Sequence, residues 1–260
     1  MTFETLIIER AAGLLVMTLN RPQSLNAITP QMHAELEAAF NAFAADDDLQ
    51  VAIITGAGER AFCAGSDLKS FTIKNAPPYP EHGYAGLIKR HDLVKPVIAA
   101  VNGLALGGGM ELALACDIVL AGDSARFGLV EPKVGLIAIA GGITRLVRAV
   151  GHKQAMIPLL TGGQISAADG FAQGFVSEVV ADAELMGRAR ALAAEIMACA
   201  PLAVRATKEI AYRSMDEPDL ARAITAQDGY PAYQAWIQSE DAAEGMQAFV
   251  EKRPPVWKGR

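Results

Sequence analysis

Cysteine, long apolar runs and clustered positive charge are all scarce in this chain of 260 residues. Cys63, Cys116 and Cys199 are odd in number and make no CxxC pair, which argues against a disulfide framework and for a reducing cytoplasm. No apolar run reaches about 18 residues, so no membrane span is expected. The opening Met1-Thr2-Phe3-Glu4 lacks the basic-then-apolar pattern of a secretory leader. There is no dense basic run and the formal charge is −6, so nucleic acid is not an expected partner. Metal-ligand spacing is also absent, and no metal site is expected. Charged residues make up only 20%, too few for long disorder.

What the chain has instead is apolar surface to bury. Hydrophobic residues make up 52%, enough for one large domain or one domain with an appendage. Leu6–Ile8 and Leu14–Leu19 read as strands joined by a turn at Ala11-Ala12-Gly13. Thr29-Pro30 reads as a helix start, with Met32, Leu36, Ala39, Phe40 and Phe43 on one face. Val51–Thr55, Pro96–Val101 and Ile118–Ala121 read as short buried strands separated by helical patterns. This is an α/β layout without even βα alternation. Past about residue 183 only helices are expected: Ala183–Ala198, Leu202–Arg213, Asp219–Ile237 and Asp241–Glu251. The expected division is a core over 1–200 carrying the active site and a helical oligomerisation region over 201–260. The Pro-rich stretch Asn75–Pro80 reads as a surface loop near a pocket, or as a plain linker.

Two carboxylates frame the most apolar part of the chain. Glu111 closes Leu106-Gly107-Gly108-Gly109-Met110-Glu111, and Glu131 lies in Phe127-Gly128-Leu129-Val130-Glu131-Pro132. An ionised group near buried surface is costly unless it has partners or a task. Two that meet there have their pKa values pushed apart, as acid/base chemistry on one substrate requires. The glycine run precedes a helix expected near Met110. Such a run either binds an oxyanion at the helix N-terminus or only lets the helix pack tightly. In Ala61–Lys69, the Ser66 N–H aimed at the same oxygen as the Gly108 N–H would complete a two-donor oxyanion hole. Asp67 could hold that turn through its side chain.

Other motifs lack context. Gly56-Ala57-Gly58-Glu59-Arg60-Ala61 matches a dinucleotide-binding pattern, but Gly65 interrupts the helix that should follow and no acidic residue closes a second strand; it reads as a turn. Ser66 lacks the nucleophile elbow, and none of His33, His82, His91 and His152 has an obvious partner for a triad.

The chain resembles the enoyl-CoA hydratase/isomerase (crotonase) family over essentially its full length. The matching motifs are Asn20-Arg21-Pro22 with Leu25-Asn26-Ala27, Phe62–Lys69, Lys95–Gly103, Ala105–Glu111, and Glu240–Gly245 through Phe249–Pro254. The resemblance implies a spiral of ββα repeats, then a helical trimerisation region, with trimers able to pair into hexamers. It implies an acyl-CoA thioester as ligand and no separate cofactor, coenzyme A being part of the substrate. By resemblance, the Ser66 and Gly108 N–H groups hold the thioester oxygen and stabilise an enolate, and Glu111 and Glu131 are the acid/base pair. One activates water for attack at the β-carbon, and Glu131 handles the α-carbon proton. Ala64, Asp67, Leu68, Lys69, Gly107 and Ile139 fall on substrate-binding positions. Phe249 and Lys252 match positions where a trimer neighbour contacts the CoA nucleotide.

A complete glutamate pair favours hydration of a 2-enoyl-CoA over isomerisation; a non-catalytic acyl-CoA-binding scaffold is a further alternative. Many hydratases of the family carry Pro-Gly where this chain has Ala138-Ile139, so Ile139 stands where a small residue would help bind water through its backbone. The tail Pro255–Arg260 looks like that of bacterial carnitinyl-CoA dehydratases. A trimethylammonium substrate would want an aromatic cage or a carboxylate, and sequence alone does not place Tyr79, Tyr84 or Trp236 in one.

Overall fold

A computed structural model describes residues 3–70 and 79–260. Asn75–Pro78 of the Pro-rich stretch therefore lie outside the described residues. Ten strands run in chain order: β1 (Leu6–Ala11), β2 (Leu14–Leu19), β3 (Val51–Gly56), β4 (Ala61–Cys63), β5 (Val97–Val101), β6 (Leu104–Leu106), β7 (Ile118–Gly122), β8 (Arg126–Gly128), β9 (Ile165–Ser166) and β10 (Glu178–Val180). They form a six-stranded sheet, β1-β2-β3-β5-β7-β10, and a four-stranded sheet, β4-β6-β8-β9. From β3 to β8 the chain alternates between the two sheets, one strand in each. α-Helices follow the β1/β2, β5/β6 and β7/β8 pairs, as in the expected spiral of ββα turns, while among the described residues β3/β4 is followed only by a 3-10 turn at Tyr84–Gly86. All partners are parallel except β1/β2 and β8/β9.

The helices are α1 (Pro30–Ala45), α2 (Gly108–Ala115), α3 (Gly142–Val150), α4 (His152–Thr161), α5 (Ala167–Gln173), α6 (Leu185–Met197), α7 (Pro201–Ser214), α8 (Leu220–Ala226), α9 (Pro231–Ile237) and α10 (Glu240–Glu251). None of the described helices is long and apolar enough to cross a membrane.

The middle of the large sheet, at β3 and β5, is buried on both faces, which is why those strands read as continuous apolar runs. Successive side chains point to opposite faces. Leu15, Met17, Ala52, Ile54, Val97 and Ala99 join the core that includes α1 and α2. Leu14, Val16, Val51, Ile53, Ile98 and Leu120 meet Leu185, Ala189 and Ala193, which lie one turn apart on α6.

Local signals acted where they were expected. The two-residue turn between β1 and β2 takes positive φ at Ala12 (44°) and Gly13 (86°), the twist that suits a tight hairpin. Thr29 caps α1 by accepting from the Met32 N–H at 3.2 Å, and the expected apolar face is buried. One expected helix is corrected: Asp219–Ile237 is not continuous. Pro231 has no N–H to extend α8, so a short 3-10 turn at Gln227–Gly229 separates α8 from α9. The Glu209 carboxylate, on α7, accepts from the Ala232 N–H at the new helix start.

Candidate active site

Helix α2 starts at Gly108, two residues before the expected point, with Gly107 as its N-cap at φ 53° and ψ −127°. The glycines are there because their neighbours leave no room. A Cβ on Gly107 would lie 3.1 Å from Glu131 Oε1, one on Gly108 would overlap the Tyr84 hydroxyl, and one on Gly109 would overlap the Cys63 carbonyl oxygen. The Gly65 loop is equally close: a Cβ there would lie 3.2 Å from the Gly108 nitrogen. The glycine run and the Ala61–Lys69 loop therefore meet, as the oxyanion reading requires. Among the described residues, neither the Ser66 N–H nor the Gly108 N–H has a hydrogen-bond acceptor. Gly108 is in the first turn of α2, where N–H groups are unpaired and the helix dipole is positive.

The loop around Ser66 is pinned on both sides. Ala64 N–H donates to Leu25 O at 3.0 Å, Ile28 N–H to Gly65 O at 2.8 Å, and Asp67 N–H to Ile28 O at 2.9 Å. Arg21 donates to Ala27 O at 2.6 Å and pairs with Asp67 at 3.0 Å. Buried Asn26, at φ 55°, donates to Ala57 O and Ala61 O and accepts from the Arg21 N–H. Asp67 also holds its own turn, accepting from the Lys69 N–H at 3.1 Å. Burial works against the Asp67 anion, yet the Arg21 guanidinium and the Lys69 N–H bring its pKa below the usual range. The Asn20–Pro22 and Leu25–Ala27 motifs thus act through the loop they hold, which no spacing rule reveals.

Glu111 is 3% exposed, on the first turn of α2. Its Oε1 accepts from the Gly142 N–H at 2.9 Å, and Gly142 fits because a Cβ there would lie 2.7 Å from Glu111 Cγ. Its pKa rises to about 7: burial is the main cause and the Glu131 charge adds to it, against the Gly142 and Ala140 hydrogen bonds and the Arg145 charge. Burial also raises the pKa of Glu131, opposed by a hydrogen bond from its own N–H. Glu131 Oε2 is buried and has no hydrogen-bond partner among the described residues. Two carboxylates near N–H groups that have no acceptor among the described residues, both with pKa values raised by burial, can exchange protons with a molecule bound between them.

Other expected positions are exposed. Ile139 is 75% exposed. Leu68 is exposed too. Phe249, 86% exposed, and Lys252 lie on α10 and its C-cap, and neither hydrogen-bonds to these loops among the described residues. Sequence reasoning missed Tyr84, His33 and Arg145. Ser66 Oγ donates to the Tyr84 hydroxyl at 3.2 Å, the His33 ring packs edge-on against Tyr84, and Arg145 donates to Ile88 O at 2.8 Å. A cavity of about 460 Å³ opens beside Ser66, lined also by His33, Glu37, Tyr79 and Glu81. Glu37, Glu81 and His82 could together ligate a metal, a grouping hidden by the long separation of Glu37 from the other two. Glu37 is already paired with His82 Nδ1 at 2.5 Å.

The family model described as Enoyl-CoA hydratase/isomerase matches residues 9–260. A carnitinyl-CoA dehydratase of Salmonella paratyphi A is 43% identical over 267 residues, covering 99% of each chain. The structure of an enoyl-CoA hydratase from Mycobacterium tuberculosis H37Rv superposes with a TM-score of 0.92 at 37% identity, covering 98% of this chain and 99% of that one. For an enoyl-CoA hydratase from Mycobacterium marinum the TM-score is 0.91 at 39% identity, with the same coverage. The fold is therefore the crotonase fold, and the chain belongs to the enoyl-CoA hydratase/isomerase family.

Proposed function

We propose that this protein reversibly adds water across the double bond of a 2-enoyl-CoA thioester. The observation that supports this reading is that Glu131 lies against Gly107 and close enough to Glu111 to raise its pKa, while the neighbouring Ser66 and Gly108 N–H groups have no acceptor among the described residues. The thioester oxygen is held by those two donors, at the positive end of α2. Ionised Glu111 takes a proton from water as the oxygen of that water bonds to the β-carbon. The C=C electron pair moves into the thioester, giving an enolate whose charge the two N–H groups bear. Protonated Glu131 then donates to the α-carbon, and the carboxylates exchange their protons with solvent to reset. Dehydration is the same path in reverse. Loss of one preorganised donor in such sites costs about 100-fold to 1,000-fold in turnover.

Glu131→Gln is expected to abolish hydration of crotonyl-CoA while thioester binding survives. Near wild-type turnover by that variant would sink the assigned role. An isomerase is separated by assaying 3-enoyl and 2-enoyl thioesters side by side.

A specific observation favours a second reading, dehydration of a carnitinyl-type thioester. The cavity beside Ser66 carries the Glu37 and Glu81 carboxylates and the Tyr79 ring, groups suited to a cationic acyl terminus. Equal turnover of cationic and neutral enoyl-CoA thioesters of the same length would remove that reading.

The region from Pro201 onward serves oligomerisation in this proposal. Met215, Leu220, Ile224, Met246, Phe249 and Val250 are exposed apolar side chains of that region. Burying them in a homotrimer removes the cost of leaving them in water, and brings Phe249 and Lys252 to a neighbour's nucleotide. Light scattering is expected to give three times the monomer mass; a stable monomer at micromolar concentration contradicts it.

A further inference from the structure

The chain places a strained turn against the oxyanion loop. Gly83, Ala85 and Gly86 have φ of 79°, 54° and 64°. Glycine adopts such angles freely, but at Ala85 the left-handed region costs about 1–2 kcal/mol. Gly86 cannot be larger, since a Cβ there would lie 2.5 Å from Glu37 Cα. The turn is held in place from below. Ala85 N–H donates to His33 Nδ1 at 2.9 Å, and burial lowers the His33 pKa to about 4, so that nitrogen remains an acceptor.

The turn drives Tyr84 inward, to 1% exposure. The ring is fixed edge-on by His33 and Tyr79, at centroid distances of 4.6 and 5.6 Å. The hydroxyl lies against the Gly108 Cα and accepts from Ser66 Oγ at 3.2 Å. It therefore touches both residues whose N–H groups are free. Either hydroxyl can donate in that contact, and when Ser66 donates the phenolic proton serves another acceptor. A Phe would fill the same space without burying a hydroxyl, whose desolvation is costly. Strain and a buried polar group together point to a task.

We propose that the Tyr84 O–H is a third donor to the thioester oxygen, beside the Ser66 and Gly108 N–H groups. The proposal rests on the enoyl-CoA reading above. Burial, reinforced by Cys63 and by the Glu111 charge, keeps the phenol protonated well above its ordinary range despite the Ser66 hydrogen bond, so it donates at any working pH. No bond is made or broken at Tyr84; it stabilises charge that grows on the oxygen.

The test is Tyr84→Phe with an aryl-conjugated 2-enoyl-CoA, whose absorption moves to longer wavelength when its carbonyl is polarised. Turnover of crotonyl-CoA is measured beside it. The expected result is a kcat lower by about 100-fold to 1,000-fold with KM little changed, a smaller wavelength shift, and an unchanged circular dichroism spectrum. Should the Phe variant misfold, 3-fluorotyrosine in place of Tyr84 carries the test. Its more acidic phenol is expected to enlarge the wavelength shift, and an unchanged shift overturns the proposal. A Phe variant equal to the wild type in both turnover and wavelength shift overturns the proposal alone. A wild-type protein that neither hydrates nor polarises the thioesters overturns the enoyl-CoA reading and the proposal with it.

Discussion

The Gly142 N–H donates to Glu111 Oε1 at 2.9 Å across 31 residues of sequence. That bond ties the start of α3 to the first turn of α2, and it favours the ionised carboxyl that burial opposes. Burial dominates, with the pKa rising from 4.5 to about 7. The folded chain thus holds the Glu111 proton over a range where the unfolded chain has lost it. This contribution to stability is complete below pH 4.5 and is lost as the pH rises through 7. Glu111→Gln is expected to be more stable than the wild type at pH 8, by up to about 3 kcal/mol, with the gap closing towards pH 4.5. Urea unfolding at a series of pH values checks it; a gap that widens on acidification contradicts the assignment.

Gly107 and Gly109 at the start of α2 are expected to fail differently when changed to alanine. Gly107→Ala forces a glycine-only backbone angle and presses on Glu131, a side chain able to move. It should cost about 1–3 kcal/mol in stability and a larger share of turnover. Gly109→Ala meets the Cys63 carbonyl, which is backbone and cannot swing aside. Its melting temperature should fall further than that of Gly107→Ala, and thermal scans of the two variants decide between them.

Buried Lys95 holds the end of α1. Its Nζ donates to Phe43 O at 2.9 Å and Asp46 O at 2.6 Å, where the last carbonyls of a helix are unpaired, and lies over the Phe43 ring. Lys95→Met keeps the stem but leaves Phe43 O without its Lys95 donor, while Asp46 O keeps the Leu49 N–H. The expected loss is about 1–3 kcal/mol in urea unfolding, with crotonyl-CoA turnover unchanged at a temperature where the variant is folded.

The last residues fold back on the helices. Buried Asp241 accepts from the Lys258 and Gly259 N–H groups at 2.7 and 2.8 Å, and Trp257 donates to Ala198 O. Asp241→Ala should release this tail. Faster amide exchange at 258 and 259 and a red-shifted Trp257 emission are the expected signs, and unaltered protection there would show that the bonds of Val256 N–H to Glu244, Glu240 N–H to Arg260 O and Trp257 to Ala198 O hold the tail without Asp241.

Features written in neighbouring residues were legible in the sequence. Thr29 and Pro30 announce α1 by themselves, and Ala12-Gly13 announces its hairpin. The glycine run marked the start of α2 to within two residues. Glu111, Ser66 and Gly108 lie in the family motifs, and the fold brings the Gly65 loop and Glu131 against the glycine run. The break at Pro231 was missed because Asp219–Ile237 has helical composition on both sides of it. Asn26, Arg21 and Tyr84 act on residues 18 to 46 positions away. No local pattern encodes those meetings; only the spiral of the two sheets makes them. Ile139 shows the opposite limit, since its position in the chain is clear but the direction of its side chain depends on packing.

The double burial of β3 and β5 in the large sheet has a consequence for how the protein can change. Substitutions on β3 or β5 have no solvent-facing position to use: Val51–Gly56 and Val97–Val101 are buried throughout, and the two faces serve different layers. Variation in what the protein accepts must therefore enter through the loops and the turn around Tyr84. The sheet acts as a fixed anvil, and evolutionary tinkering is confined to what is set upon it.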